Sequence, residues 1–173
     1  MSSKTSQNHK KHAPKNILCG VITLSDTKSK EYENGENNDI SGQYLVEKLN
    51  EKNTVNSYKI IPDNKILLVN TINDMIAKNI DIIFTTGGTG IGSRDITIET
   101  LENIFEKKIV GFGELFRLKT YEELGAISIL SRATAGVYKK TVILALPGSP
   151  NAVKLGLSLV IDELGHLTKH LKE

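Results

Sequence analysis

Residues Ile80–Thr100, "IDIIFTTGGTGIGSRDITIET", carry the clearest structural signal in the sequence. The stretch begins with an uninterrupted apolar run, which is typical of a short strand buried on both faces. Four glycines then fall within six residues: Gly87, Gly88, Gly90 and Gly92. Glycines let backbone N–H groups approach a ligand closely, and a helix predicted to begin near Thr97 adds its positive N-terminal end. The stretch therefore predicts a strand, an anion-binding loop and a helix in succession.

Strands alternate with helices along the rest of the chain. Further strands are predicted at "NILCGVITLS", "TVNSYKIIPD", "ATAGVY" and "TVILAL", the last two joined by Lys139-Lys140. Helices are predicted at Asp39–Asn50, from Ile66 to Ile80, at Thr97–Phe105, at Gly111–Leu124 and from Pro150 onward. This order predicts an α/β domain with a mainly parallel sheet and helices on both faces.

Three details of this assignment are specific enough to be tested. "KSKEYENGENND", charged and rich in Asn and Gly, is expected to be a loop. The helix after Pro62 is expected to bury an apolar face made of Ile66, Val69, Ile72, Ile76 and Ile80. The last helix is expected to run unbroken with an apolar stripe made of Val153, Leu157, Val160, Leu164, Leu167 and Leu171.

Composition limits the classes of protein to which the chain can belong. Its 173 residues fit one domain, residues 16–173, after a basic tail over residues 1–15 that is expected to be disordered. The tail holds four of the 22 basic residues, which leaves 18 basic and 20 acidic residues and no case for a nucleic-acid surface. No apolar stretch is long enough to span a membrane. The single cysteine, Cys19, is expected to be a buried thiol, and the chain is expected to be cytoplasmic.

Polar residues follow the predicted strands at the points where each strand ends. They are Ser25-Asp26, Pro62-Asp63, Thr85 to Gly90 followed by Arg94-Asp95, and Pro147 to Pro150. In open α/β sheets the ligand crevice lies at the carboxyl ends of the strands, so these segments should converge. Mg²⁺ typically takes one or two carboxylates together with phosphate oxygens, which makes Asp63 and Asp95 the natural pair.

Other interpretations of the same residues remain open. The glycines lack the G-x-x-x-x-G-K-[ST] pattern of a P-loop and match G-x-G-x-x-G only loosely, with Ser93 in place of the third glycine. Asp95 could simply cap the next helix, Asp63 could be a turn residue, and Ser149-Pro150 suits a helix start. Surface charge could account for three arginines, Arg94, Arg117 and Arg132. His166 and His170 are four residues apart, a possible metal spacing, but no glutamate follows the first, and cations also stabilise the end of a helix, where both lie.

Two segments make the chain recognisable. "TTGGTGIGSRDITIE" and "LPGSPNAV" resemble the signature segments of the MoaB/MogA family of molybdenum cofactor biosynthesis. The resemblance extends through "GVITLSDT", "DISGQYL", "IIPDN" and "ILSRATAG", and "GFGELFRLKTYEELG" resembles the MoaB branch more than the MogA branch. It covers nearly the whole chain from Ile17 onward.

The resemblance implies a three-layer α/β/α domain, the molybdopterin-binding fold, around a mostly parallel sheet. The implied reaction joins molybdopterin and ATP with the help of Mg²⁺ to give adenylyl-molybdopterin and pyrophosphate. By position, Asp63 and Asp95 match the catalytic and metal-binding acids of the family. The residues implied to bind the phosphate, the pterin or the nucleotide are Thr86, Gly87, Gly88, Thr89, Gly90, Arg94, Pro147, Gly148, Ser149, Ser25, Asp26, Asp39, Ser41 and Gly42. Lys65 is a possible further cation.

The resemblance leaves the activity and the assembly open. The chain could bind molybdopterin without catalysis, or it could cleave free nucleotides as the competence-damage proteins that share a similar loop would. A dinucleotide oxidoreductase is a more distant alternative. The family implies a homotrimer or homohexamer and possible contacts with other proteins of the pathway. Phe112, Phe116 and Leu118 could serve an interface or the core.

Overall fold

A computed structural model describes residues 16–172 and shows six strands in one sheet, with the order β2-β1-β3-β6-β5-β4. The strands are β1 Leu18–Leu24, β2 Thr54–Ile61, β3 Ile82–Thr86, β4 Lys107–Lys108, β5 Thr134–Tyr138 and β6 Thr141–Leu146. The four strands β2, β1, β3 and β6 run parallel. At one edge β5 pairs antiparallel with β6, and β4 pairs antiparallel with β5. The predicted basic tail lies outside the described residues.

Seven α-helices accompany this sheet within residues 16–172. They are α1 Asp26–Glu33, α2 Ile40–Asn50, α3 Lys65–Ala77, α4 Thr97–Ile104, α5 Val110–Leu124, α6 Pro150–Ser158 and α7 Leu164–Lys172. Short 3₁₀ turns follow α5 at Gly125–Leu130 and α6 at Ile161–Glu163. None of the described helices is long and apolar enough to cross a membrane.

Side chains that alternate along the strands create two cores, one on each face of the sheet. On β1, Cys19 and Val21 face a core that α2, α5, α6 and α7 complete. Ile22 and Leu24 face the opposite core, which α3 and α4 cover. The three-layer α/β/α architecture expected from the alternation of elements is confirmed, as is burial of Cys19, whose pKa burial raises to about 12 with a further contribution from Asp81.

The structure corrects the predicted loop that begins at Lys28. Residues 26–33 form helix α1, which Ser25 caps by accepting a hydrogen bond from the Lys28 amide at 3.2 Å. Ser29 is its one buried residue, so the helix buries no apolar stripe that could have produced a periodic signal.

Two further helical predictions need correction. Helix α3 buries Leu68, Thr71, Ile72 and Met75, whereas Ile66 is 74% exposed, so the buried face is rotated from the predicted one. The final helix is broken by the 3₁₀ turn at Ile161–Glu163, although the stripe remains largely buried across the break. Apolar spacing alone did not distinguish these arrangements, because α3 carries apolar residues on more than one side.

The predicted hairpin is confirmed and explains how the chain reaches the centre of the sheet. β5 and β6 pair in antiparallel fashion around Lys139 and Lys140, which both have positive φ, 47° and 61°. Two such residues suit a two-residue hairpin turn. β6 then pairs in parallel with β3, which places the loop after β6 beside the glycine-rich loop after β3 (residues 87–92), called the glycine loop below. Strand β4, only two residues long, was not predicted.

Candidate active site

The carboxyl ends of the four parallel strands bring the predicted loops to one edge of the sheet. Leu24 of β1 lies opposite Ile61 of β2, and Thr86 of β3 lies opposite Leu146 of β6. The residues that follow these positions therefore emerge side by side, as the sheet rule predicts.

The glycine loop adopts a conformation that depends on glycine and closes around its neighbours. Gly87 and Gly88 have φ of 96° and 61°, in the region that L side chains rarely adopt. The Thr97 amide donates to the Gly88 carbonyl at 2.9 Å, and the Thr97 hydroxyl donates to the Gly87 carbonyl at 2.8 Å. A Cβ atom on Gly88 would lie 2.7 Å from Oδ1 of Asp63. The loop thus leaves room for a carboxylate and not for side chains of its own.

Asp63 and Asp26 bind each other across two strand ends. The Asp63 amide donates to Asp26 Oδ1 at 3.1 Å, and the Asp26 amide donates to Asp63 Oδ2 at 3.2 Å. The other oxygen of Asp63, Oδ1, is buried and has no hydrogen-bond partner. Burial raises the pKa of Asp63, and the neighbouring charges of Asp26 and Asp95 add to the rise.

Asp95 follows the glycine loop in sequence, two residues after Ser93, and its side chain lies against that loop. Its Oδ2 accepts a hydrogen bond from the Gly92 amide at 2.9 Å, and a Cβ atom on Gly90 would lie 2.7 Å from that oxygen. Helix α4 has Ile96 as its N-cap residue and no side-chain cap, so the alternative that Asp95 caps this helix is wrong. Its carboxylate is instead held beside the glycines.

Asp63 and Asp95 are the two carboxylates of the site that could bind Mg²⁺. Among residues 16–172, no group of three or more His, Cys, Asp or Glu side chains could hold a metal ion by itself. Mg²⁺ does not need such a group, because it often uses one or two carboxylates and completes its shell with water and phosphate oxygens. The buried Oδ1 of Asp63 accepts no hydrogen bond from the described residues and can bind a cation, so the donor set fits a Mg²⁺ ion bound together with a phosphorylated ligand.

Arg94 lies at the rim of the site. Its Nε donates to Asp26 Oδ2 at 3.1 Å, and its Nη2 binds the same oxygen. This hydrogen bond from Arg94 is the largest cause that lowers the pKa of Asp26. The Arg94 side chain remains 69% exposed, and its guanidinium lies beside the carboxylate of Asp26. The other candidate cation, Lys65, is exposed and lines a groove of about 360 Å³ between α3 and α4, together with Asn70 and Asn103.

The second predicted loop, Pro147–Gly148–Ser149, is tied to the first. The Thr86 hydroxyl donates to the Pro147 carbonyl at 3.0 Å, and the Ser41 hydroxyl donates to the Gly148 carbonyl at 2.8 Å. Ser149 caps α6 by accepting from the Ala152 amide at 3.3 Å, with Pro150 as the first helical residue. The structural interpretation of Ser149-Pro150 is therefore confirmed.

Asp39 and Gly42 stabilise the start of α2, the helix whose Ser41 contacts the loop after β6. Asp39 is fully buried and caps α2, and its carboxylate accepts from Tyr58 at 2.6 Å, from the Gly42 amide at 3.1 Å, from Lys28 Nζ at 3.2 Å and from the Thr23 hydroxyl. Burial on its own would raise the pKa of Asp39, but these hydrogen bonds outweigh it and lower that pKa. With its oxygens occupied by protein donors, Asp39 is placed to hold α2 in position.

The structure also assigns contacts to residues that the sequence left unassigned. Arg132, for which surface charge was an open interpretation, donates to the carbonyl groups of Thr89 and Gly90. Tyr58 and Thr97 anchor Asp39 and the glycine loop. Because Arg132 and Gly90 are 42 residues apart in sequence, local residue spacing cannot predict this contact. Arg117, by contrast, is exposed.

Known proteins resemble this chain over nearly its whole length. The sequence profile described as "Probable molybdopterin binding domain" matches residues 20–166. A molybdopterin adenylyltransferase of Pyrococcus furiosus is 44% identical over 171 residues, which are 96% of this chain and 98% of that protein. Molybdenum cofactor biosynthesis protein B of Bacillus anthracis is 42% identical, over 94% of this chain and 95% of that protein.

A solved structure agrees with these sequence matches. The crystal structure of the tungsten cofactor synthesizing protein MoaB from Pyrococcus furiosus superposes with a TM-score of 0.85 at 44% identity, covering 93% of this chain and 100% of that one. The segments quoted for the resemblance, the glycine loop and the loop after β6, both fall within the matched residues 20–166. The chain therefore belongs to the molybdopterin-binding domain family that includes MoaB.

Proposed function

We propose that the chain transfers the adenylyl group of ATP to molybdopterin, giving adenylyl-molybdopterin and pyrophosphate in molybdenum cofactor biosynthesis. The observation that carries the proposal is the buried, unpartnered Oδ1 of Asp63, held against a glycine loop that excludes side chains. Relatives named molybdopterin adenylyltransferase, 44% and 43% identical over nearly the full chain, support the same reaction.

In this reaction the terminal phosphate of molybdopterin attacks the α-phosphorus of ATP in line, and pyrophosphate leaves with the electron pair of the broken P–O bond. A phosphate oxygen is already charged, so the protein supplies no nucleophile and acts by positioning and by charge neutralisation. Mg²⁺, when held by Asp63 and Asp95, supplies positive charge that neutralises phosphate oxygens.

The two loops divide the remaining tasks. Backbone amides of the glycine loop and the N-terminal end of α4 bind the phosphate. Ser41 and Thr86 hold the loop of Pro147 and Gly148 beside it, where it forms the second wall for the substrates. Arg94 can leave its ion pair with Asp26 to meet phosphate charge, because both partners are on the surface.

The direct test is to incubate the protein with molybdopterin and Mg-ATP and to look for the adenylylated product by mass spectrometry. Product that disappears when ATP or Mg²⁺ is omitted supports the proposal. Pterin binding without any product would instead show a binding protein of the same pathway. Pyrophosphate release from free nucleotides without molybdopterin would show a nucleotide-cleaving enzyme.

We also propose that the protein assembles as a homotrimer or homohexamer through α5. Eight large apolar side chains on α5 and the 3₁₀ turn after it are at least half exposed: Val110, Leu115, Leu118, Tyr121, Leu124, Ile127, Ile129 and Leu130. So many exposed large apolar side chains on one helix and the turn after it are unusual on the surface of a monomer and typical of an interface. Phe112 and Phe116 on the same helix are buried in the core, so of the three α5 residues considered only Leu118 is available to a partner.

A further inference from the structure

Arg132 reaches the glycine loop from the segment that precedes β5. Its Nε donates to the Thr89 carbonyl at 2.8 Å, and its Nη2 donates to the Gly90 carbonyl at 2.5 Å. The far side of the guanidinium pairs with Glu99 on α4, with Nη1 2.6 Å from Oε1 and Nη2 3.4 Å from Oε2. One side chain thus connects the segment before β5 with the glycine loop and with the first turn of α4.

The contacts leave Arg132 little capacity to bind a ligand itself. A guanidinium carries five N–H donors, and the four hydrogen bonds to Thr89, Gly90 and Glu99 occupy most of them. The Glu99 carboxylate also balances its charge, and the hydrogen bond from Arg132 is the largest cause that lowers the pKa of Glu99. The effect of Arg132 on an anion must therefore come from the geometry that it imposes on the loop.

That geometry determines the direction of two amide groups. The described chain contains no cis peptide bonds, and in a trans peptide the C=O and N–H groups point in opposite directions. Capture of the Thr89 carbonyl therefore turns the Gly90 N–H away from Arg132, and capture of the Gly90 carbonyl does the same for the Ile91 N–H. Within residues 16–172, neither of these amides donates to a protein acceptor.

We propose that Arg132 is a positioning residue for the adenylyl transfer, which orients the Gly90 and Ile91 amides so that they bind a phosphate group of the substrates. The inference rests on the proposed function for the identity of the phosphate. The orientation of the amides themselves is a property of the loop that can be measured without turnover. Lysine cannot replace arginine here, because an ammonium group is a point charge and not a planar fork.

The test compares Arg132→Lys with the wild-type protein, with Arg117→Lys as the matched control at an exposed arginine. Amide chemical shifts of Gly90 and Ile91 are followed by ¹⁵N NMR during titration with inorganic pyrophosphate, and kcat and KM for molybdopterin are measured separately. Wild type and Arg117→Lys should show shifts at both amides. Arg132→Lys should lose pyrophosphate affinity at least about tenfold and kcat/KM on the order of 100-fold, as when an oriented backbone donor is lost.

Each outcome decides the inference. If Arg132→Lys keeps the wild-type amide shifts and kcat/KM while only its melting temperature falls, Arg132 is structural and the inference is overturned. A wild-type loop that does not respond to pyrophosphate also overturns it. If Arg132→Lys fails to fold, Glu99→Gln, which removes the ionic anchor of the guanidinium, should weaken pyrophosphate binding by a smaller factor because the loop amides are held less firmly. Unchanged or tighter binding would show that Arg132 does not act through the loop and would overturn the inference. Loss of the amide shifts in the variant, with no product formed by wild type, supports orientation of the two amides by Arg132 and refutes the adenylyl transfer itself.

Discussion

Asp26 and Asp63 each donate a backbone amide to the carboxylate of the other, at 3.2 Å and 3.1 Å. The exchange fixes the ends of β1 and β2 together and uses one oxygen of Asp63, which leaves Oδ1 without a partner. An oxygen in that condition is costly to bury unless a ligand satisfies it. The reciprocal pair therefore accounts for the orientation of the acid that the proposed reaction needs.

Asp63→Asn is expected to abolish adenylyl transfer and to keep the fold. Because the pKa of Asp63 is raised, its contribution to stability is present while it is protonated, below its ordinary value of 3.8, and is lost as pH rises through the folded pKa. The neutral amide should therefore melt at the same temperature as wild type at neutral pH, or above it. Mass spectrometry of the product checks the loss of activity, and a thermal melt checks that the fold is kept.

Asp95→Asn provides a comparison for the same experiment. Its loss should also remove activity, although Asn can still accept from the Gly92 amide. Wild-type rates of adenylyl transfer in both variants would contradict the proposed catalytic role of Asp63 and Asp95.

Gly88→Ala should reduce both activity and stability. The residue has φ of 61°, and an added Cβ would lie 2.7 Å from Asp63 Oδ1 and 2.6 Å from Thr97 Oγ1. The backbone conformation alone costs about 1 kcal/mol for a residue with a side chain, and the contacts would displace the carboxylate. Gly111→Ala is the matched control, since nothing lies within 4 Å of its added Cβ and it is the second residue of helix α5. It should be neutral or stabilising by up to about 1 kcal/mol; equal losses in the two variants would contradict the role of the close contacts.

Asp39→Asn should destabilise the fold and flatten its acid sensitivity. The pKa of Asp39 is lowered, so its stabilisation is present above its ordinary value of 3.8 and is lost as pH falls through the lower folded value. An amide nitrogen would face one of the four donors that the carboxylate now accepts from, at a cost of about 3 kcal/mol at neutral pH. Urea unfolding across acidic and neutral pH measures both effects. Asp74→Asn, at an exposed position of α3, should leave the profile unchanged.

Leu118→Glu should break or reduce the assembly proposed for α5. Leu118 is 52% exposed on the same helix as the other exposed apolar residues, and a charge buried there at an interface would lack a partner. Native mass spectrometry should show a trimer or hexamer for wild type and smaller species for the variant. Ile66→Glu, at a 74% exposed position of α3, is the control and should assemble as wild type does. A monomeric wild-type protein would refute the proposed interface.

Much of the fold was predictable because its strands are short, continuous apolar runs with distinct ends. Together with the rule for parallel sheets, those ends predict that Asp63, the glycine loop and Pro147 lie at one edge of the sheet. Helix α1 was not predicted because it buries only Ser29 and so has no periodic apolar pattern. The break at Ile161 escaped because the apolar stripe continues past it.

The support of the site was less predictable than its position. Tyr58 lies in the middle of β2, yet its hydroxyl reaches a carboxylate 19 residues away in sequence, and burial followed by Asp39 raises its pKa. Arg132 contacts carbonyl groups, which carry no side-chain signature at all. Contacts of this kind depend on which segments become neighbours in space, and one-dimensional patterns do not contain that information.

The inert sulfur of Cys19 makes the protein convenient to probe by spectroscopy. The chain has a single cysteine, which is fully buried, and a thiol whose pKa is about 12 offers almost no thiolate to alkylating reagents at neutral pH. A cysteine introduced at Ile91, a 75% exposed residue of the glycine loop, would therefore be the one site open to labelling in the folded protein. A fluorophore or spin label there could report movement of the loop as substrates arrive, without any background mutation.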